Sequence, residues 1–223
     1  DEVNAAAEKL KAAGIIPFAH GGQAWQDATV FEAVAMGIGG NNYYKNCYVD
    51  LKETCLRSET TVKVFDQMRK LQSYTDEGSP GRDWNVATGM VIEGKAGFQI
   101  MGDWAKGEFT AAGKVPGVDY YCSPTPSNNG YLYNVDSFIF YKTSDPDKQE
   151  GQKLLAKLMM GKNFQKVFNL YKGSIPARLD VPMDEFDKCA KTSNSDIKTA
   201  GASGGLVPSF AHGMAQGNTM KAA

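Results

Sequence analysis

The sequence predicts an α/β fold, because short apolar strands alternate along the chain with helices and the connections between them are short. Residues 93–109 show this arrangement most plainly. Gly94 can end a helix, and residues 96–101 form a short apolar strand. Gly102-Asp103-Trp104 then leads into a second helix, with Asp103 as its N-cap. Open α/β sheets bind ligands in the loop after the carboxyl end of a strand. Trp104 lies in such a loop, and its large flat ring predicts a ligand with an apolar face.

The composition is that of a globular chain. Its 223 residues are 42% hydrophobic and 22% charged, enough for one large domain or two small ones. The formal net charge of −1 disfavours nucleic acid and anionic membrane surfaces as partners. No apolar run approaches the roughly 20 residues of a membrane helix, so we expect a chain that is not membrane-embedded. Asp1 runs almost directly into a helix, which we interpret as the middle of a longer protein.

Before residue 94, apolar spacing and glycine or serine boundaries predict one strand and four helices. In chain order, these are a helix through Ala6, Leu10 and Ala13; a strand over residues 15–20; a helix over 26–36, ended by the glycines of 37–40; a helix capped by Ser58, with Val62, Phe65, Met68 and Leu71 on its apolar face; and a helix over 84–93.

After residue 109, the same reasoning predicts strands over residues 119–123 and 135–141. Ser144-Asp145-Pro146 begins a helix, since proline suits a first helical turn. Gly161 interrupts this helix, which continues to Gly173. Four of its residues are expected to form a buried stripe: Leu154, Leu155, Leu158 and Met159. From residue 180 onward the sequence is sparse in apolar residues.

Four cysteines fit neither a zinc pattern nor a redox Cys-x-x-Cys motif: Cys47, Cys55, Cys122 and Cys189. An even number permits two disulfides and an oxidising compartment, whereas four reduced, buried thiols are an equally good interpretation. Among the three connectivities we favour Cys47 with Cys55 and Cys122 with Cys189, because the first pair flanks a short loop.

Enzyme motifs are incomplete in this chain. Residues 89–95 match much of a phosphate-binding loop, but Ala96 replaces the Ser/Thr that would hold magnesium, and a helix precedes where a strand is needed. Residues 201–205 spell a nucleophile elbow around Ser203, yet no Asp or Glu follows it. Two histidines are too few for a histidine metal cluster, and no acid pair suits a glycosidase. We therefore expect no catalysis, no metal and no cofactor.

Aromatic and hydrogen-bonding residues at loop and strand ends are the candidate binding residues. Each alone has an ordinary structural role, such as a core tryptophan, a turn-forming Asn/Asp pair or a lysine at a helix C-terminus. Together they suit a neutral sugar, because rings cover its C–H face and mixed donors and acceptors match its hydroxyls. The six candidates are Trp84, Trp104, Asn134, Asp136, Lys172 and His212.

Five stretches then carry a specific resemblance. They are Gly-Gly-Gln-Ala-Trp-Gln at 21–26, Pro-Gly-Arg-Asp-Trp-Asn at 80–85, Met-Gly-Asp-Trp-Ala-Lys-Gly-Glu-Phe at 101–109, Tyr-Lys-Gly-Ser-Ile-Pro at 171–176 and Asp-Lys-Cys-Ala at 187–190. This set, spread over nearly the whole chain, resembles the periplasmic glucose-binding proteins of ABC sugar importers, in extracellular solute-binding protein family 1.

The resemblance implies a periplasmic-binding-protein-like (type II) lobe, with helices packed on a small mixed β-sheet. Such proteins have two lobes that close on one sugar, and this chain resembles the part after the first lobe. Residues 1–132 would form the second lobe. Residues 133–173 would cross the hinge as a strand and long helix that pack on the absent first lobe, and residues 174–223 would return to close the second lobe.

The resemblance also implies roles and partners. Trp84 and Trp104 would stack on the sugar, while Asn134, Asp136, Lys172 and His212 would bond its hydroxyls. The ligand expected first is the monosaccharide glucose, delivered by a monomeric periplasmic receptor to the membrane permease of an ABC importer. An oligosaccharide receptor of the same fold and a carbohydrate-active enzyme are the alternatives.

Overall fold

Helices dominate the computed structural model, which describes residues 1–127 and 130–215. The elements are α1 (Glu2–Ala12), β1 (Ile16–Phe18), α2 (Ala24–Tyr44), α3 (Glu53–Leu56), α4 (Glu59–Gln72), α5 (Trp84–Ile92), β2 (Ala96–Phe98), α6 (Lys106–Ala111), β3 (Tyr131–Tyr133), α7 (Pro146–Met159), α8 (Lys162–Lys172), α9 (Lys188–Ala202) and β4 (Leu206–Pro208). A π-helical turn (Lys45–Val49) follows α2, and a 3₁₀ turn (Asp103–Ala105) precedes α6.

The described strands form two parallel pairs. β1 pairs with β2, with Phe18 opposite Phe98, and β3 pairs with β4, with Tyr133 opposite Pro208. An α/β architecture is therefore present, but the mixed sheet expected from the resemblance is not seen among residues 1–127 and 130–215. Helices lie between the paired strands in the sequence, and such crossover connections produce parallel pairing.

Two strands predicted after residue 109 do not form. Residues 119–123 lack strand structure, and Cys122 in this stretch is bonded to Cys189 of α9. Residues 135–141 also have no strand partner, although they are rich in β-forming residues, and Ile139 is 75% exposed. Strand propensity expresses packing against neighbouring strands, so it has no effect where no neighbour lies alongside. The ladder stops instead at Tyr133.

Helix α2 extends past the glycines that were expected to end it. Its backbone leaves helical geometry only at Gly40, where φ is 72°, and the helix then resumes to Tyr44. Met36 and Tyr44 are buried, so packing outweighs the weak helix propensity of glycine. The N-cap predicted for the helix after β2 is also different. Asp103 was expected there, but Gly102 precedes the 3₁₀ turn and Asp103 lies within it.

The largest core cluster joins α2 to α1, α4 and the segment after β4. Tyr44, Tyr48 and Phe210 pack against one another there, with ring centroids 5.4–6.1 Å apart. Ser58 precedes α4 as expected, but the face of α4 that packs against the core differs from the predicted one. Leu71 is buried as expected, together with Val64, whereas two predicted apolar positions, Val62 and Phe65, are 59% and 51% exposed.

Both favoured disulfides are present, Cys47–Cys55 and Cys122–Cys189. The second ties the loop before β3 to α9, a helix that the sparse apolar pattern after residue 180 did not predict. Asp187 caps α9, its carboxylate accepting a hydrogen bond from the Ala190 N–H at 2.8 Å. Residues 216–223 of the expected return segment lie outside the described residues.

Helix α7 begins as predicted but exposes its apolar stripe. Asp145 is the N-cap and Pro146 the first residue. Leu154 and Leu158, which were expected to be buried, are 59% and 60% exposed. They belong to a surface that we call the apolar face, made of exposed residues of 135–141, α7 and α8: Val135, Phe138, Ile139, Phe140, Tyr141, Leu154, Leu155, Leu158, Val167, Phe168 and Tyr171. Amphipathic spacing predicts an apolar side, but its burial depends on a partner surface, which the described residues do not supply.

Within residues 1–127 and 130–215, no helix combines the length and apolarity needed to cross a bilayer.

Candidate functional site

Four of the six candidate residues, and Trp25, follow the carboxyl ends of the four strands. β1 leads through two glycines to Trp25, and β2 leads to Trp104. β3 is followed at once by Asn134 and Asp136, while His212 lies just after β4. Because paired parallel strands end at the same edge, this topology gathers side chains from distant parts of the sequence on one side.

The His212 ring contacts two indole rings. Its imidazole lies edge-on to Trp104, with ring centroids 5.0 Å apart, and 6.0 Å from the ring of Trp25. The Thr29 hydroxyl, which donates to the Trp25 carbonyl, is 3.2 Å from His212 Nε2. Trp25, Trp104 and His212 are all half-buried, so part of each ring is open to a ligand.

Asp136 is held by two donors. Lys172 Nζ donates to its Oδ2, and Asn134 Nδ2 donates to its Oδ1 at 3.2 Å. The hydrogen bond and charge of Lys172, with smaller contributions from Asn134 and the charge of His212, hold the pKa of Asp136 below its usual value. The group is therefore an ionised acceptor beside a cation.

Two glycines bring Lys172 close to the Trp104 turn. Gly173 ends α8 with φ of 88°, and a Cβ at this position would lie 2.6 Å from the backbone nitrogen of Gly107. A Cβ at Gly107 would in turn meet the Lys172 carbonyl at 3.0 Å. The Ser174 hydroxyl donates to Asp103 Oδ1 at 2.9 Å across the same contact. The start of α6 and the end of α8 are thus in backbone contact.

Trp84 is connected to this cluster indirectly. It is the first residue of α5, and the preceding Asp83 accepts a hydrogen bond from Gln23 Nε2 at 2.5 Å. Gln23 Oε1 accepts from the Trp25 indole N–H at 2.8 Å. Of the six predicted residues, Trp104 and His212 are thus in ring contact, Asn134 and Lys172 are both hydrogen-bonded to Asp136, and Trp84 lies beyond Gln23 and Asp83.

Sequence reasoning missed Trp25, Gln23 and Thr29 as members of the cluster. The signal for Trp25 was available, because it follows a strand and a glycine turn just as Trp104 does. No comparable signal marks Thr29, which reaches His212 only because α2 packs beside the segment after β4.

The side chains of the cluster include both apolar rings and hydrogen-bonding groups. They offer indole faces, one carboxylate, an ammonium group, an amide and an imidazole, which together can accept from and donate to several hydroxyl groups. The described part of the chain contains no group of three or more His, Cys, Asp or Glu side chains that could hold a metal ion.

Comparison with known proteins gives a family match and close relatives. The family described as "Bacterial extracellular solute-binding protein" matches residues 1–159. A protein of Brucella suis named "Probable sugar-binding periplasmic protein" is 48% identical over 99% of this chain and 52% of its own length. An uncharacterized ABC transporter extracellular-binding protein of Pyrococcus horikoshii is 34% identical over 96% of this chain and 47% of its own length. The chain thus spans about half the length of these relatives.

Solved structures share the fold at low sequence identity. A chitin oligosaccharide binding protein superposes with a TM-score of 0.66 and 18% identity, over 92% of this chain and 52% of that one. A bacterial solute receptor described as having an exclusive preference for β-D-galactopyranose superposes with a TM-score of 0.61 and 17% identity, over 88% of this chain and 51% of that one.

Proposed function

The chain belongs to the bacterial extracellular solute-binding proteins, and on this premise we propose that it is the second lobe of a periplasmic sugar receptor. Its ligand is a neutral monosaccharide, with glucose first. A solute-binding protein holds its ligand without chemical change, so the side chains of the site need to recognise and release rather than react.

One observation carries this proposal. The His212 ring lies against Trp104 and Trp25, and Asp136, in the loop after β3, binds Lys172 and Asn134. Flat rings beside mixed donors and acceptors are what a pyranose requires, because it has an apolar C–H face and hydroxyls that both donate and accept. Names of the relatives support the sugar class, and the resemblance of the five stretches supports glucose.

Selectivity resides in the polar residues. The rings contribute dispersion to any pyranose, whereas Asp136, Lys172, Asn134 and His212 each need a matching hydroxyl. A sugar that lacks one leaves a polar group unpaired inside the closed site, at a cost of about 1–3 kcal/mol. Since Lys172 holds the Asp136 carboxylate ionised and oriented, this carboxylate is the strongest acceptor available to a sugar hydroxyl.

The first lobe covers the apolar face in this proposal. Leu154 and Leu158 are more than half exposed, together with Ile139 and Tyr141. Contiguous exposed apolar patches mark interaction surfaces. The chain spans about half of its relatives, so a second body of similar size is the natural occupant. Residues 133–173 then cross the hinge and pack on that lobe.

A sugar bound between two lobes would favour the closed form, because only that form contacts it on both sides. Closure is then what the permease of an ABC importer recognises. The name of the Pyrococcus relative supports an importer as the partner. We expect the receptor to act as a monomer in the periplasm.

Titration calorimetry of the full-length receptor tests the ligand. We expect saturable heat with glucose, weaker heat with galactose and none with maltose or a chitin oligosaccharide. Binding of an oligosaccharide in preference to every monosaccharide would instead support a longer cleft, the alternative suggested by one of the two structural neighbours. Absence of heat with every monosaccharide would reject the proposed ligand.

A charge on the apolar face tests the lobe arrangement. In the full-length receptor, Leu154→Lys is expected to lower the free energy of unfolding by about 2 kcal/mol or more, because it would bury an unpaired charge. In the 223-residue chain alone, it is expected to change this energy by less than about 0.5 kcal/mol. Val62→Lys is the matched control, since Val62 is equally exposed on α4 and outside the apolar face. Equal effects of Leu154→Lys in both forms would contradict the arrangement, as would a dimer of the chain that Leu154→Lys dissociates.

A further inference from the structure

The segment after β4 that carries His212 is fastened to α2 by a buried carboxyl group. Glu32, in the middle of α2, is 3% exposed. Its Oε1 accepts from the Ser209 hydroxyl at 2.7 Å, and its Oε2 accepts from the Ala211 N–H at 3.3 Å. Two residues at the start of this segment are therefore bound to one side chain that neither the sequence motifs nor the proposed site includes.

Tyr44, the last residue of α2, also binds the segment after β4. Its buried hydroxyl lies 3.0 Å from Glu32 Oε2 and 3.1 Å from the Pro208 carbonyl, and it accepts from the Phe210 N–H at 3.2 Å. Each residue from 208 to 211 thus has a polar group bound to Glu32 or Tyr44.

The network ends at His212 itself. The Ser209 hydroxyl donates to Glu32 and accepts from the His212 backbone N–H at 3.1 Å. One hydroxyl group therefore connects the buried carboxylate to the residue whose ring meets Trp104 and Trp25. Packing alone does not require a glutamate at this buried position. An apolar side chain would fill the same space without the energetic cost of removing a carboxyl group from water.

We propose that Glu32 is a positioning residue for the candidate site: through Ser209 it sets the backbone of His212 and hence the placement of the imidazole between the two indoles. This inference deepens the proposed function and rests on it only for its effect on sugar affinity. The placement of the His212 ring is a property of the sugar-free protein and can be measured separately.

The two histidines of the chain make the measurement simple. In a proton NMR spectrum, each imidazole gives a resolved C2–H signal, and the His212 signal is displaced by the ring currents of Trp104 at 5.0 Å and Trp25 at 6.0 Å. The signal of His20, which pairs with Asp27, serves as the internal control. Both signals are assigned with His20→Gln.

Ser209→Ala and Glu32→Gln are the test variants, made in the full chain. In each, the His212 signal is expected to move towards the position of a free histidine while that of His20 stays in place. In the full-length receptor, glucose affinity is expected to fall about tenfold, the effect of one misplaced hydrogen-bonding group. Tyr74→Phe is the control, because it removes another hydroxyl–glutamate bond, that of the buried Tyr74 with the exposed Glu8 at 2.7 Å.

The outcomes separate the two ideas. A moved His212 signal in a receptor that binds no sugar supports the positioning role and rejects the proposed function. Unchanged His212 signals in both variants, or equal shifts in Tyr74→Phe, would overturn the positioning role even if stability fell. If Glu32→Gln does not fold, Ser209→Ala decides, since it removes a single oxygen atom.

Discussion

Asp136 combines a negative charge with hydrogen bonds from two neighbouring side chains. Although it is exposed, its bonds to Lys172 and Asn134 leave it ionised and oriented in the sugar-free state. Trp104 supplies the complementary apolar contact beside His212. A ligand that displaced water from both would gain dispersion and a charge-assisted hydrogen bond at once.

Removing either group is therefore expected to eliminate measurable binding. Asp136→Ala and Trp104→Ala should each lower glucose affinity in the full-length receptor by at least about a hundredfold, measured by calorimetry. Asp66→Ala and Tyr121→Ala are the controls, since these residues are exposed and lie outside the cluster. Near-native affinity in either test variant would remove that residue from the proposed site.

Glu32 makes stability depend on pH. Burial raises its pKa to about 7 from 4.5, against the opposing hydrogen bonds of Ser209, Ala211 and Tyr44. The folded protein thus retains a proton that the unfolded chain releases, so the contribution of Glu32 to stability falls as pH rises from about 4.5 to about 7. Since each pKa unit corresponds to about 1.4 kcal/mol, the fall is about 3 kcal/mol.

Urea denaturation of the wild type and Glu32→Gln at several pH values measures this fall. The difference in free energy of unfolding between the two proteins should change by about 3 kcal/mol between pH 4.5 and 7, in favour of Glu32→Gln at the higher pH. A constant difference across this range would show that Glu32 has an ordinary pKa.

At the scale of elements, the contact between α6 and α8 determines the position of Lys172. Helix α8 ends at Gly173 in a left-handed conformation, and the close approach of Gly107 leaves no room for a side chain there. The sequence predicted the end of this helix at Gly173. It did not predict that the same glycine lies against the start of α6, because that contact joins residues far apart in the chain.

Gly173→Ala is expected to destabilise the chain by about 3 kcal/mol or more, combining left-handed strain with a clash against the Gly107 backbone. Gly113→Ala separates the two causes, since Gly113 has φ of 69° with open space around it and should cost about 1–2 kcal/mol. Gly151→Ala, within α7 and also in open space, should stabilise by about 0.5–1 kcal/mol. Similar losses at Gly173 and Gly113 in thermal denaturation would argue against the clash.

At the scale of the whole molecule, the two disulfides constrain the chain very differently. Cys47–Cys55 closes a separation of 8 residues within the α2–α3 region, whereas Cys122–Cys189 closes a separation of 67 and ties the loop before β3 to α9. Loop-closure entropy therefore predicts about 2.5 kcal/mol for the first bond and about 4 kcal/mol for the second.

Paired Cys→Ser variants test this difference. Replacing Cys122 and Cys189 is expected to lower the free energy of unfolding more than replacing Cys47 and Cys55, by about 1–2 kcal/mol in urea denaturation. Free-thiol titration of the unreduced wild type should count no thiols, which checks that both bonds form. A larger loss from the Cys47–Cys55 pair would show that native-state packing, rather than chain entropy, dominates.

Local features of the chain could be predicted without any structure. Proline and glycine set the ends of α7 and α8, Ser58 preceded α4, cysteine spacing favoured the observed pairing, and the five motif stretches pointed to the family. These features depend on backbone geometry or on residue identity, which short stretches carry. Three further features became visible in the folded chain alone: which faces are buried, which strands pair, and that Trp25, Thr29 and Glu32 lie around His212. Burial and pairing depend on what lies opposite each element, and the distant contacts that supply the opposite surface leave no periodicity in the sequence.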